Sequence, residues 1–209
     1  MLKLLLILLL IPSVALADVD AFLGVSTDNL GEILGQAVAG GASCETVAQS
    51  ATGAAAGYNL ARNSSYAYWS SEITISDGPH TVCAITLELL CVDGGAGITG
   101  DLILYVYGDG TGEPGSLAAG DSTSDAVAAS TVGTGGYAEY TFTGLNVTLS
   151  DSGTYYLVLH KTVVDNEEYI RWGYILTTSP ENMDYSSDAS SWTDDANGTR
   201  AAAYKLLTQ

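Results

Sequence analysis

The chain has few cationic residues. It contains six Lys and Arg against 24 Asp and Glu in 209 residues, a formal charge of −18 at pH 7. A nucleic-acid partner would require enough cations to neutralise its phosphates, and five remain beyond residue 17: Arg62, Lys161, Arg171, Arg200 and Lys205. The sequence therefore predicts no nucleic-acid partner and disfavours anionic membrane surfaces. Its acidity is typical of a well-solvated, self-repelling surface.

Residues suited to catalysis and metal binding are also scarce. His80 and His160 are the only histidines, and no G-x-S-x-G nucleophile motif is present. The three cysteines lack C-x-x-C spacing, so a zinc site is not expected. We predict no catalytic residues, no enzymatic activity, no metal site and no cofactor, although acidic loops that converge in space could hold adventitious Ca²⁺.

Long apolar runs are absent except at the N-terminus. Residues 1–17, MLKLLLILLLIPSVALA, have one cation at Lys3, an apolar run over 4–11 and a small-x-small ending at Ala17. This order is typical of a secretory signal peptide, whereas a membrane anchor needs about 20 apolar residues. We expect cleavage after Ala17, which leaves an exported chain of 192 residues with a formal charge of −19 and no transmembrane segment.

An exported chain can keep disulfides. If the segment TVCAITLELLCVD is a single strand, Cys83 and Cys91 face the same side but lie about 26 Å apart. That separation far exceeds the roughly 7 Å limit between bridged Cα atoms. We therefore expect Cys44 to bond to either Cys83 or Cys91 and the third thiol to be buried.

Two regions differ in composition. Residues 18–65 are rich in Ala, Gly and Ser and predict a loosely ordered lead-in, with a short helix over 28–39 and one strand near CETVAQS. From residue 66 to 209 the chain consists of short alternating or apolar runs bounded by Gly, Asp, Ser and Pro. This pattern predicts an all-β fold, an antiparallel β-sandwich of jelly-roll type. The run TYYLVLH is apolar on both faces, which predicts a central strand.

Several sequence segments of this second region occur in the same order as in a known protein family. GDLILYVYGDGTGEPGSLAA is followed by YTFTGLNVTLSDSGTYYLVL, then by YIRWGY and YSSDASSW. Over about residues 68–209 the chain resembles the choice-of-anchor R domain, a bacterial and phage-associated module. The resemblance implies an extracellular β-sandwich of cell surfaces, secreted multidomain proteins or phage structural proteins, without a shared catalytic activity.

Two glycine-rich or serine-rich segments are interpreted as structural turns. In 108-GDGTGEPGS-116, Pro114 and Gly115 favour a strand-to-strand turn, because a phosphate-binding loop would need a lysine and a calcium loop more acidic residues. The segment 186-SSDASSW-192 resembles an Asp-box hairpin shortened by one residue. We expect Asp188 to cap the turn and Trp192 to pack beneath it.

Aromatic side chains supply the main candidate binding residues. The chain has 13 Tyr and three Trp, which either fill a β-protein core or stack on sugar rings. The candidates for a glycan platform are Tyr66, Tyr68, Trp69, Trp172, Tyr174, Tyr185 and Trp192.

The expected function follows from the lack of catalytic and metal-binding motifs and from the candidate aromatic binding residues. We expect a secreted or cell-surface module without enzymatic activity that acts in binding, adhesion or assembly, with a glycan or a protein surface as its partner. Two more specific alternatives stay open. One is a carbohydrate-binding domain that uses exposed aromatics, and the other is a self-assembling structural subunit of a phage particle or extracellular filament.

Overall fold

The computed structural model describes residues 44, 46–54, 56–92, 97–165, 167–176, 182–195 and 200–208. The predicted signal peptide and the predicted helix over 28–39 lie outside these residues. Within them the chain forms strands and two single-turn 3-10 helices, Ser64–Tyr66 and Ala129–Thr131, and no α-helix. The strands are β1 (Thr46–Ala51), β2 (Ala56–Leu60), β3 (Tyr68–Thr74), β4 (His80–Val92), β5 (Asp101–Asp109), β6 (Pro114–Leu117), β7 (Gly120–Asp121), β8 (Val127–Ala128), β9 (Ala138–Phe142), β10 (Asn146–Leu149), β11 (Thr154–Lys161), β12 (Tyr169–Leu176), β13 (Met183–Ser186), β14 (Thr193–Asp194), β15 (Arg200–Ala202) and β16 (Tyr204–Thr208).

These strands form two antiparallel sheets. Sheet A has nine strands in the order β1-β16-β4-β10-β7, with β9 and β12 also paired to β4, and β2 and β15 paired to β12. Sheet B has seven strands in the order β14-β13-β3-β11-β5-β6, with β8 paired to β5. The predicted all-β sandwich is confirmed, and its jelly-roll type stays a prediction.

The core lies between the two sheets. Alternating residues of β4, among them Ile85 and Leu87, are fully buried in one apolar cluster with Leu104 of β5 and Leu157 of β11. Period-2 alternation produces this arrangement because successive side chains of a strand point to opposite faces. The central position predicted for TYYLVLH is confirmed, since β11 pairs with β3 and β5 and is buried on both faces.

One disulfide links the residue Cys44, before β1, to strand β4 across the end of β16. Cys44, just before β1, is bonded to Cys83 in β4, with 5.9 Å between the Cα atoms. Cys91 is buried as a thiol at the other end of β4. The predicted disulfide is confirmed, and Cys83 is the partner of Cys44.

The strand predicted near CETVAQS is confirmed as β1, but the lead-in predicted over residues 18–65 extends too far toward the C-terminus. Strand β1 pairs with β16 and strand β2 pairs with β12, so both belong to sheet A. Gly57 of β2 has a packing reason: a Cβ there would lie 2.7 Å from the carbonyl oxygen of Trp172. A small residue is therefore needed where β2 approaches β12, so this glycine does not indicate loose order.

Strand β12 changes partner part-way along its length. Residues 169–172 pair with β4, whereas residues 174–176 pair with β15. At the change, the Ala203 N–H donates to the Gly173 carbonyl at 2.8 Å and the Glu88 N–H donates to the Ala203 carbonyl at 3.4 Å. At this junction β15 takes over from β4 along one edge of β12, while β2 pairs with the opposite edge.

Candidate functional site

A cleft of about 760 Å³ opens along one side of the sandwich. Its sheet A side consists of residues from β2 and Arg200 of β15, and its sheet B side consists of Trp69 of β3, Tyr185 of β13 and Asp194 of β14. Asn63 and Tyr66, from the segment between β2 and β3, also line it. The cleft therefore joins segments that are distant in sequence and that only strand pairing brings together.

Aromatic rings form the floor and walls of this cleft. Tyr58 lies 4.4 Å from Trp69 between ring centroids. Trp69 in turn lies 5.9 Å from Tyr66, at an angle of 12°, and 5.4 Å from Tyr185. Tyr66 and Tyr185 are 4.8 Å apart, and Tyr174 extends the cluster at 4.8 Å from Tyr58. We call these five residues the aromatic cluster.

Burial divides the aromatic cluster into a fixed floor and accessible walls. Tyr58 is 5% exposed and Trp69 is 4% exposed. The Trp69 indole donates to the Asn59 carbonyl at 3.0 Å, which fixes the ring. Burial raises the pKa of Tyr58, so its hydroxyl stays neutral. Tyr66 and Tyr185 are half-buried, so they are the rings whose surface a ligand can contact.

Charged residues stand at the rim. The Arg200 guanidinium lies 4.7 Å from the Tyr174 ring centroid and 5.5 Å from that of Tyr58, and its Nη1 is 3.4 Å from an Asp195 carboxylate oxygen. Asp194 and the exposed Arg62 line the cleft as well. Six of the eleven lining residues are Asn, Asp or Arg, so polar groups surround the aromatic floor on several sides.

The β13–β14 hairpin positions Tyr185 on the cleft wall. Its turn depends on Asp188, whose carboxylate accepts hydrogen bonds from the N–H groups of Ser190 at 2.9 Å and Ser191 at 3.4 Å. These bonds lower the pKa of Asp188. The structure thus places Asp188 in a structural turn, and Trp192, just before β14, is half-buried.

A buried carboxylate lies in the same hairpin. Asp184 is 3% exposed, pairs across the hairpin with Asp194, and receives a hydrogen bond from the Ser70 hydroxyl at 3.3 Å. Burial raises the pKa of Asp184 to about 6, with a further contribution from Asp194. This side chain is therefore sensitive to pH in the mildly acidic range.

The residues predicted to bind a glycan lie in different environments. Tyr66, Trp69, Tyr174 and Tyr185 belong to the aromatic cluster, and Tyr68 stacks on His160 on the outer face of sheet B, 4.1 Å between centroids. The assignment of Trp172 is corrected, because its ring is fully buried and its indole donates to the Ala203 carbonyl at 3.3 Å. Trp192 does not line the cleft.

Sequence reasoning missed Tyr58, Arg62 and Arg200. Tyr58 lies in the Ala-, Gly- and Ser-rich region that predicts a lead-in, and no local motif relates Arg62 or Arg200 to it. The available signal was β2 itself, AGYNL, whose Tyr58 and Leu60 alternate with polar or small residues as in a half-buried strand.

The segment 108-GDGTGEPGS-116 is a hairpin whose turn lies earlier than expected. The Gly110 N–H donates to the Glu113 carbonyl at 2.7 Å, and Asp109 accepts a hydrogen bond from the Gly112 N–H at 2.8 Å. Pro114 and Gly115 are the first residues of β6, not turn residues. Gly115 is needed because a Cβ there would lie 2.9 Å from the Gly110 Cα.

The residues that the structure describes contain neither a metal-ligand cluster nor a membrane-spanning helix. They contain no group of three or more His, Cys, Asp or Glu side chains arranged to hold a metal ion. They also contain no helix of the length and apolar character that crossing a membrane requires.

Comparison with protein-family models, with curated proteins and with solved structures found no match to this chain. The resemblance to the choice-of-anchor R domain therefore stays a hypothesis.

Proposed function

We propose that this chain is an exported binding module without enzymatic activity, and that it holds a carbohydrate in the cleft between β2 and the β13–β14 hairpin. The observation that carries the proposal is the combination of two accessible rings, Tyr66 and Tyr185, with a charged rim. A pyranose has C–H bonds on its faces, which pack on aromatic rings, and hydroxyls on its edge, which hydrogen-bond to polar groups. The cleft offers both kinds of partner.

The size and rigidity of the cleft support this function. Its volume of about 760 Å³ lies within the range of about 300–1,000 Å³ that is typical of small-molecule sites. The floor is fixed before binding, since Trp69 is hydrogen-bonded to Asn59 and packed between Tyr58 and Tyr66. A fixed floor lowers the entropy cost of binding.

Two features favour export. The Cys44–Cys83 disulfide is typical of proteins that fold in an oxidising compartment, and residues 1–17 have the pattern of a signal peptide. Membership of the choice-of-anchor R family would further favour a cell-surface location. The sequence segments that resemble this family form β5–β6, β9–β11, β12 and the β13–β14 hairpin, which are all strands or hairpins of the sandwich.

The proposal is tested with a glycan array followed by calorimetry on the glycans that bind. We expect Tyr185→Ala to weaken binding about tenfold or more, because the variant loses a stacking ring. Tyr107→Ala is the matched control, since Tyr107 is also half-buried but lies in β5, outside the cleft. Absence of any bound glycan, or an equal loss in both variants, would overturn the proposal.

Assembly is a second candidate because of one edge strand. Among the described residues β1 is paired on one side only, with β16, and its Val47 is 51% exposed. An open edge can pair with a strand of another chain. Sedimentation over a wide concentration range tests this function, and a monomer at every concentration would exclude self-assembly through β1.

A further inference from the structure

The cations of this acidic chain are unevenly distributed. The described residues contain five, of which three are arginines, and all three lie against aromatic rings in or beside the cleft: Arg62, Arg171 and Arg200. The two lysines are engaged elsewhere. Lys161 is buried and donates to the Val163 carbonyl, and Lys205 forms an ion pair with Glu139.

Arg62 and Arg171 share one aromatic ring. Their guanidinium carbons lie 5.7 Å and 5.8 Å from the centroid of Tyr169. Arg171 is fixed there, since its Nε donates to the Asn59 side-chain oxygen at 3.1 Å. Arg62 lines the cleft, and so does Asn59, to which Arg171 is hydrogen-bonded. The two arginines therefore lie next to the aromatic cluster.

Neither Arg62 nor Arg171 forms an ion pair with a carboxylate in the part of the chain that the structure describes. The ion pairs found there are Arg200–Asp195 and Lys205–Glu139. Arg62 is exposed, so its guanidinium can reach a ligand. Asp194 and Asp195 line the same cleft, where Asp195 is paired with Arg200, and Asp165 lies beside Arg62, since its N–H donates to the Ala61 carbonyl at 3.1 Å.

Arginine suits one kind of ligand group in particular. Its planar fork can donate two parallel hydrogen bonds to a carboxylate or a sulfate, and such charge-assisted pairs are stronger than neutral ones. Acidic residues far from the cleft repel an anionic ligand only weakly, because salt screens charges that are more than about 8 Å apart at physiological ionic strength. Of the two arginines that line the cleft, Arg200 is paired with Asp195, so direct pairing with the exposed Arg62 decides the preference.

We propose, on the basis of the proposed carbohydrate-binding function, that the cleft selects an anionic saccharide whose carboxylate or sulfate group is bound by Arg62. Arg171, held against the same Tyr169 ring, reinforces the positive potential at that point. The sugar ring that carries the anion packs on the aromatic wall at Tyr66. Neutral saccharides of the same length bind through the wall alone and more weakly.

The test uses the full exported chain and three oligosaccharides of equal length: an oligogalacturonide, a sulfated galactan and a neutral galactan. We expect the best anionic sugar to bind about tenfold or more tightly than the neutral one at 50 mM NaCl. The preference should shrink at 500 mM NaCl, since it is electrostatic. The order of the two anionic sugars identifies a carboxylate or a sulfate as the recognised group.

Two variants separate a local from a general charge effect. Arg62→Gln should lower the affinity for the anionic sugar to that for the neutral one, so that the ratio of the two affinities falls to about one. Lys205→Gln removes the same charge from sheet A outside the cleft lining and should keep the preference. Equal effects of the two variants would overturn the assignment of Arg62.

The remaining outcomes distinguish this inference from the proposed function. Equal affinities of the neutral and anionic sugars overturn the inference and leave the carbohydrate-binding function standing. Absence of binding by all three sugars, and by the glycans of the array, overturns both. Self-association of the chain that Arg62→Gln abolishes, without any sugar binding, would instead assign the arginines to a protein contact.

Discussion

Reduction of the Cys44–Cys83 disulfide should destabilise the sandwich strongly. The bonded residues are 39 positions apart. The chain-entropy relation gives about 4 kcal/mol at 25 °C for a loop of that length. Since single domains are usually stable by about 5–15 kcal/mol, this single bond accounts for a large fraction of the free energy of unfolding.

The position of the bond adds a local effect to this global one. Strand β16 lies between β1 and β4, and the disulfide spans the end of β16, with its sulfurs 3.8 Å and 3.4 Å from the Leu207 carbonyl oxygen. After reduction, β1 is held by its pairing with β16 and by Gln49, whose side chain donates to the Thr74 carbonyl at 3.0 Å. We therefore expect β1 to exchange its amide hydrogens faster than β4 in the reduced protein.

The assay is urea unfolding, followed by tryptophan fluorescence, of the protein with and without dithiothreitol. With a slope of about 2 kcal/mol/M for a chain of this size, a loss of about 4 kcal/mol moves the midpoint down by about 2 M urea. Cys44→Ala should unfold at the lower midpoint in both conditions. Cys91→Ser should still respond to the reductant, because Cys91 is a buried thiol and not part of the bond. Midpoints of oxidised and reduced protein within about 0.3 M would refute the reasoning, and so would a reductant effect that persists in Cys44→Ala.

The remaining predictions concern the core and the buried carboxylate. Trp172→Ala should lower the free energy of unfolding by about 3–5 kcal/mol, because a fully buried ring is removed; a loss below about 1 kcal/mol in urea unfolding would contradict the core assignment. Asp184 is held near pKa 6 against an ordinary 3.8, so the stability that its neutral form contributes is fully present below about pH 3.8 and is lost as the pH rises through about 6. Thermal melting should therefore show that the wild type loses about 2 kcal/mol more than Asp184→Asn between pH 4 and pH 7, and identical pH profiles would contradict this.

Local signals in the sequence were sufficient for much of the sandwich. Alternation in TYYLVLH and in TVCAITLELLCVD predicted buried strands, because period 2 is a property of each strand alone. The impossibility of a Cys83–Cys91 bond followed from strand length, which left Cys44 as the bridging residue. Asp188 was recognisable as a turn residue from its immediate neighbours.

The sequence-based predictions that were wrong concern residues whose role depends on a partner that is distant in sequence. Gly57 contributes to a run that suggests loose order, yet it is required by the close approach of β2 to Trp172. Trp172 itself lies in YIRWGY, where both faces of the strand carry aromatics, so alternation could not decide which face is buried. Pro114 favours turns in general, and only its pairing with Asp109 places it in a strand.

The cleft could not be predicted for the same reason. Tyr58 and Tyr174 come close because β2 pairs with β12, and Trp69 and Tyr185 are paired directly between β3 and β13. These pairings join positions more than 100 residues apart in sequence. Candidate aromatics could thus be named from composition, but their division into floor, wall and core required the register of each strand pair.

The junction at Gly173 connects the architecture of sheet A to the cleft. The N–H groups of Ala203 and Glu88 both find carbonyl acceptors there, so the strands change partners without leaving buried donors unsatisfied. The Glu88 carboxylate also accepts hydrogen bonds from the N–H groups of Gly53 and Ala54, at 2.6 and 2.7 Å, and so holds the segment before β2 against the junction. A Cβ at Gly173 would contact Ala54 and lie 3.0 Å from the Glu88 carbonyl oxygen, so a larger residue would separate the strands. Because β2 supplies Tyr58 and β15 supplies Arg200, the shape of the cleft depends on a glycine that does not line it.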